Sequence, residues 1–267
     1  MSDVCYLYDG SVDGLLNCVF AAFAAKEHPD ILREGAVQLA LDQRLRAIPA
    51  DPAIARRVEQ GILRRIGPET LGRVQVAALS AHPQAARIAL DYLRLGFQVG
   101  PRIDQRLAEE PVHRMNKLLR DVQWEAQRFI QFLRFSALEG GVYFAEMQPQ
   151  HDVLMLVMPH FAERFNVQPF IIHDAGRRLA GVWDRRDWLV ISSEGMRLPA
   201  QAQGDAAYQA AWKMFYRTIA IEQRINPKLR RAFMPKKYWQ HMLEMQPEYR
   251  SLGDAEQRLL AQGEEAR

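Results

Sequence analysis

The sequence has few cysteines and none of the common catalytic signatures. Only two cysteines occur in 267 residues, Cys5 and Cys18, and they do not form a CxxC pair. A disulfide framework is therefore not expected, nor is an iron–sulfur cluster, which typically needs several cysteine ligands. The motifs HExxH, GxGxxG, GxSxG and the P-loop are also absent. These absences predict a protein with no metal or cofactor of its own, in a reducing, cytoplasmic setting.

Long hydrophobic runs are missing as well. No apolar run reaches 18 residues, and the opening MSDVCYLYDGS lacks a basic region, so neither a membrane span nor a signal peptide is expected. Hydrophobic residues still make up 48% of the chain, which is enough for a real core. These features predict a globular protein with no membrane partner.

The most informative stretch covers residues 211–239. It has eight basic residues and a single acid, Glu222, so its net charge is +7 in a chain whose total is +3. Such a local positive charge indicates an anionic partner, most often nucleic acid. Basic side chains interleaved with aromatic rings are able to neutralise phosphates and to stack on bases. The residues assigned to this contact are Lys213, Arg217, Arg224, Lys228, Arg230, Arg231, Lys236, Lys237, Tyr238 and Trp239.

The same stretch has ordinary structural interpretations. Charge runs often form a solvated surface, and Phe233, Tyr238 and Trp239 are also suited to anchor a hydrophobic core. A helix at about 206–224 is expected to bury one apolar face, formed by Tyr208, Ala211, Trp212, Phe215 and Ile219. The sequence alone leaves these alternatives open.

Taken in order, several motifs resemble those of one bacterial family of DNA metabolism and DNA repair proteins. The matching segments are residues 6–11, 13–16, 123–126, 128–129, 138–143, 159–165, 171–174, 218–222, 226–229 and 233–239. Members of that family are encoded beside a radical-SAM protein of DNA modification or repair, and some are fused to a uracil-DNA-glycosylase-type domain. The resemblance therefore implies a process and a radical-SAM or glycosylase-type partner, and it implies no particular reaction.

The order of helical and strand patterns predicts an α+β fold. A strand at 4–8 precedes an amphipathic helix at 12–26, and the apolar period changes from 3.6 to 2 after a strong helix at 115–133. Strands follow at 134–138, 142–147, 168–173, 179–183 and 188–191, with a hairpin turn at Gly140-Gly141 and a helix at 153–165. We therefore expect a largely antiparallel sheet of about five strands, packed by the helices at 12–26, 115–133 and 206–224.

Residues 1–245 are expected to form a single α+β domain, and residues 246–267 a loosely attached tail. A helical insertion is predicted at about 30–112, with helices at 36–47, 52–66, 68–80 and 83–97 that are separated by proline and glycine. Several arginines of the insertion either add to an anion-binding surface or are balanced by interleaved acids: Arg56, Arg57, Arg64, Arg65 and Arg73.

The helix at 115–133 carries one aromatic residue away from its apolar stripe. Trp124 lies between Arg120 and Arg128 at intervals of four residues, so the three share one face. The ring either packs under a neighbouring element or offers a stacking platform for bases. Trp124 and Arg128 complete the set of candidates for nucleic-acid contact.

A general acid–base or metal site is the alternative to simple binding. His173 and Asp174 close a predicted strand, and His160 and Glu163 lie in the predicted helix before it. Their ordinary roles would be a hydrogen bond to a turn and a surface ion pair. Glu222 is either a partner that fixes a neighbouring arginine or a catalytic carboxylate.

Three functions follow as hypotheses. The first is a DNA-binding accessory protein of bacterial DNA repair that acts with a radical-SAM or glycosylase-type partner. The second is an enzyme that acts on damaged or modified DNA through His160, Glu163, His173 and Asp174. The third is a protein-interaction module whose basic surface meets an acidic partner.

Overall fold

A computed structural model describes residues 3–35, 43–196, 200, 202, 204–218 and 227–245. The chain forms two compact units: Met1–Glu125 with Gln150–Val153, and Ala126–Pro149 with Leu154–Arg267. The single domain predicted for residues 1–245 stays a prediction, because a division into compact units does not decide whether they fold separately. The tail predicted at 246–267 lies outside the described residues.

The first unit contains a three-stranded parallel sheet with β1 at its centre. Its strands are β1 (Val4–Tyr8), β2 (Asp30–Arg33) and β3 (Arg44–Ala47). Cys5 of β1 lies opposite Asp30 on one side and Leu45 on the other. β1 is buried along almost its whole length, as is usual for a parallel strand that is covered on both faces.

Two of these strands correct the sequence predictions. The helix predicted at 36–47 is wrong for 44–47, which form β3, while residues 36–42 lie outside the described part of the chain. β2 lies at the start of the segment predicted to be a helical insertion. Each strand has only four residues and β3 is exposed throughout, so neither carries the alternating pattern by which a strand is recognised.

A tight turn joins β1 to α1 (Val12–Ala25) and caps this helix. Asp9 Oδ1 accepts hydrogen bonds from the N–H and O–H groups of Ser11, and Ser11 Oγ accepts one from the Gly14 N–H at 2.9 Å. Gly14 is required because a Cβ at this position would come within 2.3 Å of Asp9 Oδ1. The sequence predicts that this helix packs on the five-stranded sheet, but its apolar residues belong to the core of the first unit.

The other helices of the first half agree with the predicted periodicity. They are α2 (Pro52–Arg65), α3 (Pro68–Ala78), α4 (Ala85–Val99) and α5 (Glu110–Phe132), with a 3₁₀ helix at Gly100–Gln105. The apolar stripe predicted for α5 is largely buried. Residues of α5 up to Glu125 belong to the first unit, and those from Ala126 onward belong to the second.

Burial in the first unit predicts a loss of stability at alkaline pH. Burial, the largest cause, raises the pKa of Cys18 from 9.0 to about 12 and the pKa values of Tyr6 and Tyr92 from 10.0 to about 12. Because the unfolded chain ionises these groups at lower pH, the stability that they contribute is complete below about pH 9 and is lost as the pH rises toward 12. Urea unfolding across this range is expected to give a falling free energy of unfolding, and a shallower fall in Tyr92→Phe. A constant free energy would contradict the prediction.

The second unit contains a five-stranded mixed sheet. Its strands, in their order across the sheet, are β4 (Ser136–Ala137), β5 (Tyr143–Met147), β6 (Phe170–Asp174), β7 (Leu179–Trp183) and β8 (Trp188–Ser192). Three of the four pairings are antiparallel, and β5 pairs with β6 in parallel. The five predicted strands are confirmed, but the sheet is not purely antiparallel, because α6 (Leu154–Arg164) forms a crossover between β5 and β6.

Helix α6 covers one face of this sheet. A Cβ on Gly181 would lie 2.4 Å from Met158 Sδ, so β7 and α6 approach each other closely at this glycine. Phe161 and Phe165 of the helix segment pack edge-on against Phe170 of β6. The predicted hairpin between β4 and β5 is also present, and both of its glycines have positive φ, 84° and 76°.

The segment after the sheet contains α7 (Asp205–Thr218), α8 (Pro227–Phe233) and 3₁₀ helices at Lys236–His241 and Leu243–Met245. The helix predicted at 206–224 is confirmed as far as Thr218, and residues 219–226, including Ile219, lie outside the described residues. The predicted burial of its apolar face is wrong for the four members of that face that the structure describes, all of which are exposed: Tyr208, Ala211, Trp212 and Phe215. Instead, α7 contacts the Leu243–Met245 segment.

Candidate nucleic-acid interface

The rings of Tyr238 and Trp239, predicted to contact nucleic acid, are core anchors. Tyr238 is only 4% exposed, and its ring centre lies 5.0 Å from that of Phe129. Trp239 is 8% exposed and donates its Nε1–H to the Met234 carbonyl at 3.0 Å. The 3₁₀ helix that follows Pro235 turns both rings inward. Burial leaves neither ring open for stacking on a base, so the core-anchor alternative is observed for these two. Phe233, the third candidate anchor, is 71% exposed.

Cationic groups lie over these two buried rings. The Arg128 guanidinium is 6.0 Å and the Lys237 ammonium 5.1 Å from the centre of the Tyr238 ring, while the Arg230 guanidinium is 5.5 Å from the centre of the Trp239 ring. The negative face of an aromatic ring attracts a cation, so the rings help to hold these charges in place. We call this group, together with two exposed neighbours, the basic cluster: Arg128, Arg230, Arg231, Lys236 and Lys237.

Three cations of the basic cluster have no acid partner in the described part of the chain. Among the described residues, Arg128, Arg230 and Lys236 form no ion pair with a carboxylate. By contrast, Arg134 of the same unit is paired at 2.8 Å with Glu244, whose side chain is buried. Positive groups that lack an internal acid are suited to a polyanion backbone, where they replace condensed counterions.

The structure does not describe the side chains of the other basic residues predicted to contact nucleic acid. Lys213 and Arg217 are on α7 and Lys228 is on α8, but their side chains lie outside the described part of the chain. Arg224 and Glu222 lie outside it entirely. The nucleic-acid role of the four basic residues stays a prediction, as do the two alternatives for Glu222, a partner that fixes a neighbouring arginine or a catalytic carboxylate.

Trp124 lies on the surface of the first unit. Its side chain is 61% exposed, and the Arg120 guanidinium lies 5.6 Å from the centre of its indole ring. Of the two interpretations, packing under a neighbouring element is not observed within the residues that the structure describes. Arg128, predicted to flank the same ring, is instead the cation over Tyr238.

The arginines of the predicted insertion divide into two kinds. Arg73 is paired with Asp104 at 3.1 Å and lies over the ring of Tyr92 at 5.4 Å, so it has a structural role. Arg57 similarly lies 5.4 Å from the Phe20 ring centre. The side chains of Arg56, Arg64 and Arg65 are at the surface of α2.

The four candidate catalytic residues are not brought together. Asp174 is fully buried, accepts the Arg177 N–H at 3.1 Å and pairs with the Arg177 guanidinium at 3.1 Å, which closes the turn after β6. Since strand side chains alternate, His173 points to the opposite face of the sheet. His160 and Glu163 are exposed on α6, and no hydrogen bond among the described residues joins either of them to His173 or Asp174.

His173 has other polar neighbours that the sequence did not reveal. Its Nδ1 lies 3.3 Å from Glu146 Oε2, and its Nε2 lies 3.1 Å from Ser193 Oγ. His241 Nδ1 lies 3.6 Å from the other oxygen of Glu146, and burial lowers the pKa of His241 despite the opposing effect of that carboxylate. In the sequence, Glu146 is marked only as a charged residue within an otherwise apolar strand. Ser193 lies 20 residues after His173, a spacing that matches no recognised motif.

Neither a metal centre nor a membrane helix is found among the described residues. In this part of the chain, no three His, Cys, Asp or Glu side chains are placed to hold a metal ion. None of its helices combines the length and apolar character needed to cross a bilayer.

The chain is thus a mixed α+β protein with a ring-supported basic cluster in its second unit. Residues 83–244, more than half of the chain, match a family model described as a domain of unknown function, DUF4130. The chain belongs to this family. No match to a curated protein was found. The family description names no reaction and no partner.

Proposed function

We propose that the protein binds DNA as an accessory protein of bacterial DNA repair or DNA metabolism, in the cytoplasm. The observation that carries this proposal is the basic cluster, whose cations lie over the buried rings of Tyr238 and Trp239. The resemblance of the sequence motifs to a DNA repair family supports the process. It also points to a radical-SAM or uracil-DNA-glycosylase-type protein as the partner.

The physical properties of the basic cluster favour phosphate contact. Arg128 and Arg230 present planar guanidinium groups, which form paired hydrogen bonds to phosphate oxygens. Because each already lies over a ring, less side-chain freedom is lost when a phosphate binds. Contacts of this kind depend on the charge of the DNA backbone and not on the identity of the bases, so binding is expected to be sequence-independent.

Replacing Lys236 and Lys237 together with alanine is expected to weaken binding to every DNA sequence. The slope of log affinity against log salt concentration should become shallower by about 1.8, since each phosphate of duplex DNA that a cation neutralises adds roughly 0.9 to it. Fluorescence anisotropy with labelled single-stranded and duplex DNA, measured across a salt series, gives this slope directly.

A matched control removes the same charge elsewhere in the second unit. Arg185 and Arg186 are exposed in the turn between β7 and β8, and their double alanine variant should leave the salt slope unchanged. An equal reduction of the slope in both double variants would show that net charge alone determines binding. No binding of the wild-type protein at low salt would overturn the proposal.

A protein partner is the second candidate, and exposed apolar side chains favour it. Tyr208 and Met214 of α7 and Phe233 of α8 are 79%, 70% and 71% exposed, respectively. A complex held by such surfaces would survive high salt, whereas a DNA complex held by phosphate contacts would not. A pull-down of the radical-SAM partner that resists high salt and is unaffected by the Lys236 and Lys237 changes would favour this function. Catalysis by His160, Glu163, His173 and Asp174 as one group is not proposed, because the structure separates them.

A further inference from the structure

A line of three polar side chains crosses the second unit's sheet, on the face opposite α6. Glu146 Oε2 lies 3.3 Å from His173 Nδ1, and His173 Nε2 lies 3.1 Å from Ser193 Oγ. A carboxylate, an imidazole and a hydroxyl in this order match the connections by which serine nucleophiles are activated. The nucleic-acid interface uses none of these three residues.

Strand register explains why residues distant in sequence meet here. Glu146 of β5 pairs with His173 of β6, and His173 pairs in turn with Ala180 of β7. Ala180 pairs with Ile191 of β8, and Ser193 follows two residues later, just beyond the end of that strand. Only the methyl group of Ala180 stands on β7 at the paired position, so the imidazole is able to reach across this strand to the serine.

We propose that Ser193, His173 and Glu146 form a nucleophilic site that hydrolyses uncharged carboxylic esters with apolar acyl groups. Glu146 accepts the Nδ1–H of His173 and thereby holds the tautomer in which Nε2 is free to accept the Ser193 proton. Ser193 is the catalytic nucleophile, His173 is the general base, and Glu146 is a positioning residue.

The surroundings of Ser193 favour an uncharged, apolar substrate. The Phe144 ring centre lies 6.3 Å from that of His173, and Ile191 is 42% exposed, two residues before Ser193. The Glu146 carboxylate lies 3.3 Å from the His173 imidazole, whereas the charge of Glu194 is paired with Arg178. A phosphodiester would be repelled by the Glu146 carboxylate, whereas a neutral ester would not.

The reaction takes place in two balanced steps. Ser193 Oγ bonds to the acyl carbon while its proton passes to His173 Nε2, and the ester C–O bond breaks as that proton is given to the departing alcohol. Water then attacks the acyl-serine with His173 again as base, which releases the carboxylic acid and restores the Ser193 hydroxyl. Ester and water are the only reactants.

A reporter-tagged fluorophosphonate tests the site in the full-length protein. The probe should label wild type as the serine oxygen bonds to phosphorus and fluoride leaves, and peptide mass spectrometry should place the adduct on Ser193. Ser193→Ala should lose the adduct, and His173→Gln should slow labelling by roughly 10²- to 10⁴-fold, the usual contribution of a general base. Hydrolysis of p-nitrophenyl butyrate should fall in parallel.

Three further variants separate catalysis from folding. Ser192→Ala changes the neighbouring exposed serine and should be labelled at the wild-type rate. Glu146→Gln should slow labelling, and Glu146→Asp should restore part of the rate, while circular dichroism stays at the wild-type signal in both. Wild-type protein that is not labelled, or labelling that persists in Ser193→Ala, would overturn the proposal. Equal rates in wild type and His173→Gln would overturn it as well.

Discussion

Replacing Glu244 with alanine is expected to lower the free energy of unfolding by about 3–5 kcal/mol, as is usual when one partner of a buried ion pair is removed. The Glu244 side chain is 1% exposed, and its Oε1 accepts a hydrogen bond from Arg134 Nη2 at 2.8 Å. Its Oε2 accepts the Trp212 Nε1–H at 3.2 Å, and the Arg134 guanidinium lies 5.7 Å from the centre of the Trp212 ring. The substitution would leave a mostly buried guanidinium without its carboxylate. Urea unfolding followed by circular dichroism measures the loss.

A surface ion pair in the same unit provides the control. Arg178 and Glu194 approach to 3.3 Å, but both side chains are about 70% exposed, so Glu194→Ala should cost less than about 1 kcal/mol. Changing Arg134 to methionine and Glu244 to leucine together should recover much of the stability lost in Glu244→Ala, because neither charge then remains buried. Equal losses in Glu244→Ala and Glu194→Ala would contradict the role assigned to the buried pair.

The sequence predicted the elements whose evidence is local. The stripe of apolar residues on α5, the two glycines of the β4–β5 hairpin and the five strands of the second unit each depend on a period or a turn within a few residues. β3 lacked such a signal, since all four of its residues are exposed and its place beside β1 depends on a partner about forty residues away in sequence.

The candidate site was also hard to predict where the position of a side chain depends on residues distant in sequence. The charge of residues 211–239 was visible in composition, but whether Tyr238 and Trp239 face inward depends on Phe129 of α5 and on the turn after Pro235. The grouping of His173 with Asp174 also followed from their adjacency in sequence, although adjacent residues of a strand point to opposite faces. Glu146 and Ser193 reach His173 only through strand register.

Replacing Trp124 with alanine is expected to weaken binding to single-stranded DNA by about 1–3 kcal/mol, which is roughly 5- to 150-fold in affinity. The indole is 61% exposed and Arg120 lies over it, so the ring is held at the surface beside a positive charge. Bases of a duplex are already stacked on one another, and duplex binding should therefore change less. Anisotropy titrations with the two kinds of DNA at one salt concentration give the comparison.

Because Trp124 is exposed, a change in binding by this variant does not reflect a change in folding. Replacing a buried ring such as that of Trp239 with alanine is expected to lower the free energy of unfolding by about 3–5 kcal/mol, so a loss of binding in that variant would also reflect a loss of folding. Trp124→Ala should leave the melting temperature unchanged, and Trp124→Phe should retain most of the single-strand affinity because it keeps an aromatic face. A lower melting temperature would show that the indole supports the fold. Equal losses of affinity for single-stranded and duplex DNA would show that the indole does not stack on bases.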